Sequence, residues 1–399
     1  MSTPRNLFLQ YLGQTSQSPL MLEIEKAEGL YMYQKDGKKY MDLISGIGVS
    51  TVGHRHPKVT QAIKNQVDQH LHLMVYGEFV TSPQVQLAKA LSDTLPEHLD
   101  NVFLVNSGSE AAEGALKLAK RYTGRTEIIS FNNCYHGSTA GALSVCGNES
   151  LKNNYRPLIP GNRLLGFGEI EDLKYISEKT AAVIIETVQG EGGVRTASKE
   201  YFQMLRQACD ERGVLLIFDE IQCGFGRTGK FWAMEHYNVA PDILLCAKGM
   251  GGGMPIGAFI SSKKIMHSLT HNPILGHITT FGGHPVSCAA SLATLNVILE
   301  ENLMNGVPEK EALFHEYLQH EKIIEVRSKG LLVAVEFESF EYVEKIIKNL
   351  LELGVLSDWF LFCDNSIRIA PPLIITQEEI KMACNKILQA IDISYELSS

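Results

Sequence analysis

Short apolar runs ending in polar residues alternate with stretches of helical periodicity through the middle of the chain. NVFLVNS (101–107) precedes SEAAEGALKLAKRYTG (109–124), whose alanines and leucines recur at helical spacing, and TEIISF (126–131) follows. TAAVIIETV (180–188) leads into KEYFQMLRQACDERG (199–213) and then VLLIFDEI (214–221). ILLCAK (243–248) and GAFISS (257–262) are further short apolar runs. Such alternation predicts an α/β fold, its parallel or mixed sheet covered by helices on both faces. Upstream, EGLYMYQKDGKKYMDLI (28–44) alternates around a DGK turn and predicts a β-hairpin. Beyond a long helix near 285–302 the pattern changes. LLVAVEFES, VLSDWFLFC and SIRIAPPL, interleaved with helices at 340–353 and 377–396, predict a smaller α+β unit. The expected organisation is an N-terminal segment (1–55), a large domain (56–290) and a small C-terminal domain (291–399).

Composition narrows the function classes. With 399 residues, 45% hydrophobic and 20% charged, the chain has an ordinary globular balance and ample core. A net charge of −9 argues against general nucleic-acid binding. The eight cysteines (134, 146, 209, 223, 246, 288, 363 and 384) show no CxxC and no Cys–His zinc spacing. They read as thiols of a reducing compartment, and no metal is expected. No apolar stretch reaches the roughly 18 residues of a membrane span, and MSTPRNLFLQYLGQTSQ shows no sustained apolar h-region. A soluble cytoplasmic protein without membrane partners is expected.

In open α/β sheets, ligands bind beyond the carboxyl ends of the strands. Here those ends carry Asn106-Ser107-Gly108-Ser109, Glu186, Asp219-Glu220-Ile221-Gln222 and Lys248. Ser109, after a glycine turn, sits where a helix N-cap is expected, and a helix N-terminus suits a phosphate as well as an ordinary cap. Asp219 follows an apolar run, so it needs a cationic partner, either a structural salt bridge or a ligand's protonated ring nitrogen. Lys248 ends another apolar run and precedes GMGGGMP, which is neither a Walker loop nor GxGxxG. A desolvated lysine of lowered pKa is a carbonyl-capturing amine. Phosphate cradle, ring-nitrogen carboxylate and Schiff-base lysine are together what pyridoxal phosphate requires.

Eight segments in order extend this reading: DGKKYMDLISGIGVSTVGHRHP, NSGSEA, YHG, ETVQGEGGV, FDEIQCGFGRTG, AKGMGGGMPIGA, TTFGGHP and RIAPPL. Together they resemble the class III aminotransferases, a branch of the fold-type I pyridoxal-phosphate enzymes. The resemblance implies that Lys248 binds the cofactor covalently and shuttles the proton, while Asp219 holds the pyridinium N–H. It implies Gln222 near the ring hydroxyl, Tyr135 stacked on the ring, and Gly108 and Ser109 on the phosphate, with Ser107, His136 and Ile221 also around the cofactor. Glu186 is expected near the reacting centre. Thr280 is expected to reach the phosphate of a second subunit, which implies a homodimer with shared sites. Arg368 is expected to bind a substrate carboxylate, with Glu191 pairing to it when that carboxylate is absent. The partners implied are an amine or amino-acid donor (ornithine, acetylornithine, 4-aminobutyrate or similar) and a 2-oxo acid such as 2-oxoglutarate or pyruvate.

The chain departs from the family pattern at several positions. Amino-acid-specific members usually carry arginine after the YHG-like triplet, where this chain has Ser138. The bidentate carboxylate clamp is lost there, unless another group such as Arg156 reaches in. Ile47 stands where ornithine-specific enzymes often carry an aromatic, so it belongs to the expected substrate contacts. Thr187 and His284 replace a usual proline and asparagine and are expected to alter packing only; His54 and His56 are expected to be structural. Another fold-type I enzyme (an aminomutase, racemase or decarboxylase) shares the lysine and aspartate and stays open on these motifs.

Overall fold

A computed structural model describes residues 3–75 and 77–396. Its centre is a seven-stranded sheet in the spatial order Asn101–Val105, Gly257–Ser261, Ile243–Cys246, Leu215–Asp219, Thr180–Glu186, Glu127–Phe131 and Asn162–Leu165. Gly257–Ser261 runs antiparallel to both neighbours, and the other pairings are parallel. Every residue of Thr180–Glu186 is buried. Val183 and Ile185 join one core with Phe131, Leu216 and Phe218, while Ala182 and Ile184 join another with Ile128, Leu215 and Ile217. That two-sided burial is why these runs are apolar throughout, each Val or Ile contributing about 1.5–3 kcal/mol. Asn162–Leu165 was not visible as a strand in the sequence. It lies at the sheet edge with its first three residues partly or fully exposed, so little apolar pattern marks it.

The C-terminal part forms an antiparallel sheet in the order Glu325–Ser328, Val333–Glu336, Cys363–Ile369, Asp358–Phe360. Helices Phe340–Glu352 and Gln377–Glu396 pack on it. The N-terminal hairpin forms as the alternation predicts, Tyr31–Gln34 pairing with Lys39–Asp42. Its Met41 and nearby Leu30 and Leu43 share a core with Val333, Ile367, Leu350 and Ile387. The short strand Val355–Leu356 pairs in parallel with Lys39–Asp42, tying the chain's two ends into one layer. Among the described residues, no helix is long and apolar enough to cross a membrane.

Candidate active site

Parallel pairing sets Glu186 directly beside Asp219, and both strands stop at the same level. Beyond their carboxyl ends opens a cavity of about 470 Å³, bounded by Gly108, Tyr135, Glu191, Gln222, Lys248 and Pro255 among others. Lys248 enters it by a route the sequence did not reveal. The strand stops at Cys246, Ala247 is extended, and Lys248 takes a left-handed backbone (φ 46°) that opens a single 3₁₀ turn, Lys248–Gly251. A non-glycine residue in that conformation costs about 1–2 kcal/mol, a strain that swings the side chain off the strand direction. Its side chain keeps some surface open to the cavity, yet burial lowers its pKa, partly opposed by Glu191 and Asp219. The free amine, which is the nucleophilic form, is thereby favoured.

Asp219 is buried, with Oδ1 accepting from Ile221 N at 3.0 Å and Oδ2 lying 2.7 Å from His136 Nδ1. A carboxylate only accepts, so Nδ1 carries the proton in that contact. Glu186 accepts from Tyr135 N at 3.0 Å and Gly190 N at 3.2 Å. Burial raises its pKa well above the usual range, and the Asp219 charge adds to this. Both its oxygens are thus committed to backbone N–H groups of the loops that wall the cavity.

The helix Gly108–Thr123 points its first turn at the same space. Its N-cap is Ser107, whose Oγ accepts from Glu110 N at 3.2 Å, and not Ser109 as the sequence suggested. The reason is that the extended residue immediately before the helix is Ser107 (φ −154°, ψ 166°), with Gly108 already helical. Ser109 Oγ is free of capping duty and accepts from Ser138 N at 3.2 Å. A Cβ at Gly108 would lie 2.9 Å from Ile221 Cδ1, so glycine is what lets the helix start close to the sheet. Tyr135 OH lies 3.0 Å from Ser138 Oγ.

Arg368, on the strand Cys363–Ile369, grips Glu191 with two parallel bonds of 2.8 Å each. Both are buried. Burial opposes the ionisation of Glu191, but the Arg368 charge and its hydrogen bonds win and hold that carboxyl below its usual range. Gln222 Nε2 adds a bond of 3.3 Å to Glu191 Oε1, and Leu361 N one of 3.1 Å to Oε2. Gln222 Oε1 is buried and has no hydrogen-bond partner among the described residues.

Not every expected residue reaches the cavity. Ser107, His136 and Ile221 line it; Arg368 stands behind Glu191 and does not. Ile47 is outside the lining, in a left-handed turn (φ 65°). Thr280 is exposed; it is the adjacent Thr279 that accepts from Asn106 Nδ2 at 2.9 Å. Arg156 is a surface residue paired with Glu149 at 2.5 Å, which corrects the idea that it supplies the second cation. His54 bonds Asp42 at 2.8 Å, and His284 caps the helix Pro285–Glu300, accepting from Val286 N at 3.3 Å. Thr187 packs against Cys223, its Oγ1 lying 3.0 Å from the thiol. Sequence reasoning missed Val49, Val188, Met254 and Ile256 in the lining, apolar residues on loops with no distinguishing pattern.

These groups match a phosphorylated, hydroxylated pyridine. The capped first turn of Gly108–Thr123 offers free N–H groups for phosphate, Asp219 offers a buried carboxylate for the ring nitrogen, and Gln222 Oε1 offers an unused acceptor for the ring hydroxyl. Comparison with known proteins points the same way. Residues 12–391 match the family described as Aminotransferase class-III. An acetylornithine aminotransferase of Methanocaldococcus jannaschii is 42% identical over 378 residues, covering 92% of each chain. A [LysW]-aminoadipate semialdehyde/glutamate semialdehyde transaminase of Sulfolobus acidocaldarius is 39% identical, over 93% of this chain and 95% of that one. The ornithine aminotransferase of Toxoplasma gondii, solved with partial occupancy of PLP at its active site, superposes with a TM-score of 0.90 at 31% identity, over 98% of this chain and 93% of that one. The fold, the cavity chemistry and these matches converge: the chain belongs to the class III aminotransferases, pyridoxal-phosphate enzymes that pass an amino group from a donor to a 2-oxo acid.

Proposed function

We propose that the enzyme takes its amino group from the terminal carbon of an ω-amine or ω-amino acid and holds the acceptor's carboxylate on Arg368. The observation that carries this reading is the bidentate Arg368–Glu191 pair at 2.8 Å. One arrangement leaves the arginine neutralised for an amine that brings no carboxylate. The other frees its fork for a 2-oxo acid, a geometry that guanidinium supplies and lysine does not. Among the described residues lining the cavity there is no arginine, and the one lysine is Lys248; Ser138 stands beside Tyr135 where a second arginine would clamp a distal carboxylate. The relatives named for acetylornithine and LysW-aminoadipate semialdehyde keep carboxylate-bearing donors within the test.

In this reading Lys248 holds the cofactor covalently and carries the proton to and from the substrate carbon. Asp219 keeps the ring nitrogen protonated, Tyr135 stacks on the ring, Gln222 meets the ring hydroxyl, and Gly108 and Ser109 hold the phosphate. When bound, pyridoxal phosphate supplies an electron-withdrawing ring that stabilises negative charge at the adjacent carbon. A cytoplasmic location belongs to the same proposal, supported by eight free cysteines, seven of them buried.

The test is kcat/KM for matched amines with and without a distal carboxylate, acetylornithine included, against pyruvate and 2-oxoglutarate. One missing charge-assisted pair is worth roughly 1.5–3 kcal/mol, so preferences of about 10–150-fold are expected. A preference above about 10³-fold for the carboxylate-bearing donor would show that a second cation serves the site.

The same proposal makes the enzyme a homodimer with Thr280 on the neighbouring subunit's phosphate. Thr280 is exposed and lies among exposed apolar residues: Ile274 (75%), Leu275 (50%), Ile278 (49%) and Phe281 (53%). A cluster of that kind marks an interface more often than bare surface. Mixing inactive Lys248→Ala with a cofactor-poor Thr280→Asp variant should restore about a quarter of wild-type activity, since half the dimers are hybrids with one intact site. No recovery, with subunit exchange demonstrated, would mean that each site is built from one chain.

A further inference from the structure

Arg368 carries more negative charge than one exchangeable carboxylate requires. Its Nη1 and Nη2 hold Glu191, and its Nε lies 3.1 Å from Asp358 Oδ1, a buried ion-pair contact without hydrogen-bond alignment. Nη2 also donates to Trp359 O at 3.0 Å, and the guanidinium sits 4.7 Å from the centre of the Phe360 ring. These partners arrive on different elements. Asp358 is the cross-strand neighbour of Arg368 in one antiparallel pair, so it travels with the arginine. Glu191 belongs to the loop after Thr180–Glu186 on the central sheet; its backbone carbonyl accepts from Phe362 N at 3.0 Å, so exchange for a substrate carboxylate asks only its side chain to move.

We infer that Asp358 is a specificity-determining residue acting through Arg368: a permanent counter-charge that weakens the arginine's grip on whichever carboxylate, Glu191 or substrate, occupies its outer fork. The inference rests on the reading of Arg368 as the acceptor's carboxylate site. Two carboxylates sharing one buried cation raise each other's energy. Burial pushes the Asp358 carboxyl up to about 6 even with Arg368 opposing, and Glu191 and Asp42 add to the rise. Asp42 is itself engaged by His54 at 2.8 Å. A site that must exchange Glu191 for substrate in every cycle gains from a fork that holds neither too tightly. The same placement also admits a plain structural role, in which Asp358 props the guanidinium in position. The two roles predict opposite signs.

The experiment measures equilibrium binding of glutarate, an unreactive dicarboxylate, to cofactor-loaded enzyme, together with KM and kcat for 2-oxoglutarate. Glu191→Gln removes the internal competitor, and Asp358→Asn is added to it. The double variant should bind glutarate between about 3- and 30-fold more tightly than Glu191→Gln alone, with KM falling in parallel and kcat moving less. Weaker binding would assign Asp358 to propping; unchanged binding would leave its charge without effect, and either overturns the inference. Asp358→Ser is the second variant should the amide not fold. Arg368→Ala is the control that separates the two readings. If it leaves glutarate binding and KM untouched, the acceptor site itself is misplaced, and Asp358 falls with it; if it weakens both while Asp358→Asn gives the wrong sign, only the role of Asp358 falls.

Discussion

Replacing Lys248 with alanine is expected to leave an enzyme that still binds pyridoxal phosphate but transaminates about 10⁴-fold more slowly. That factor is the upper end of what one positioned proton carrier contributes, and Lys248 is proposed to be both carrier and covalent anchor. Retention follows from the separate phosphate grip at the first turn of Gly108–Thr123, which the substitution does not touch. Burial lowers the pKa of this amine, so a larger share of it is the reactive free base than for an exposed lysine, and that share is lost as the medium becomes more acidic. The wild-type rate should therefore fall on the acid side, and added methylamine, a free primary amine, should restore part of the variant's activity. Stopped-flow rates of the half-reaction with donor measure both effects. A variant turning over near the wild-type rate would place the chemistry elsewhere.

Lys248 also shows where sequence reading reaches and where it stops. Its place in the cavity was legible because an amine after ILLCA, followed by glycines, is hard to explain as surface. Its conformation was not, since nothing local announces a left-handed lysine (φ 46°). That backbone is held by packing around the loop: a Cβ on Gly249 would lie 2.5 Å from Thr51 Oγ1, a residue distant in sequence. The strands buried on both faces were readable as apolar runs, whereas Asn162–Leu165, at the edge, was not. The cap of Gly108–Thr123 was placed two residues late, because NSGS offers two serines and only the extended backbone at Ser107 chooses between them. Asp358 passed unnoticed for a different reason. An acid in VLSDWFLF carries no signal by itself, and its meaning comes from the register that sets it opposite Arg368.

Asp219→Asn should cost activity without costing the fold. As a carboxylate, Asp219 accepts from Ile221 N and faces His136 Nδ1 at 2.7 Å. An asparagine oxygen can keep the bond to Ile221 N, and its amide can face His136 once the imidazole moves its proton to Nε2, which has no partner among the described residues. The substitution also removes a negative charge whose presence raises the pKa of buried Glu186. With that repulsion relieved, the thermal midpoint is expected to stay level or rise, as happens when a site built for function is neutralised. Activity follows the opposite course. A neutral amide cannot hold a proton on the ring nitrogen, and losing one such preorganised charge typically costs on the order of 10²–10³ in rate. Calorimetry and half-reaction rates on the same preparation separate the two effects. Activity within about twofold of wild type would reject the role, and a midpoint that collapsed together with the rate would make Asp219 a structural residue first.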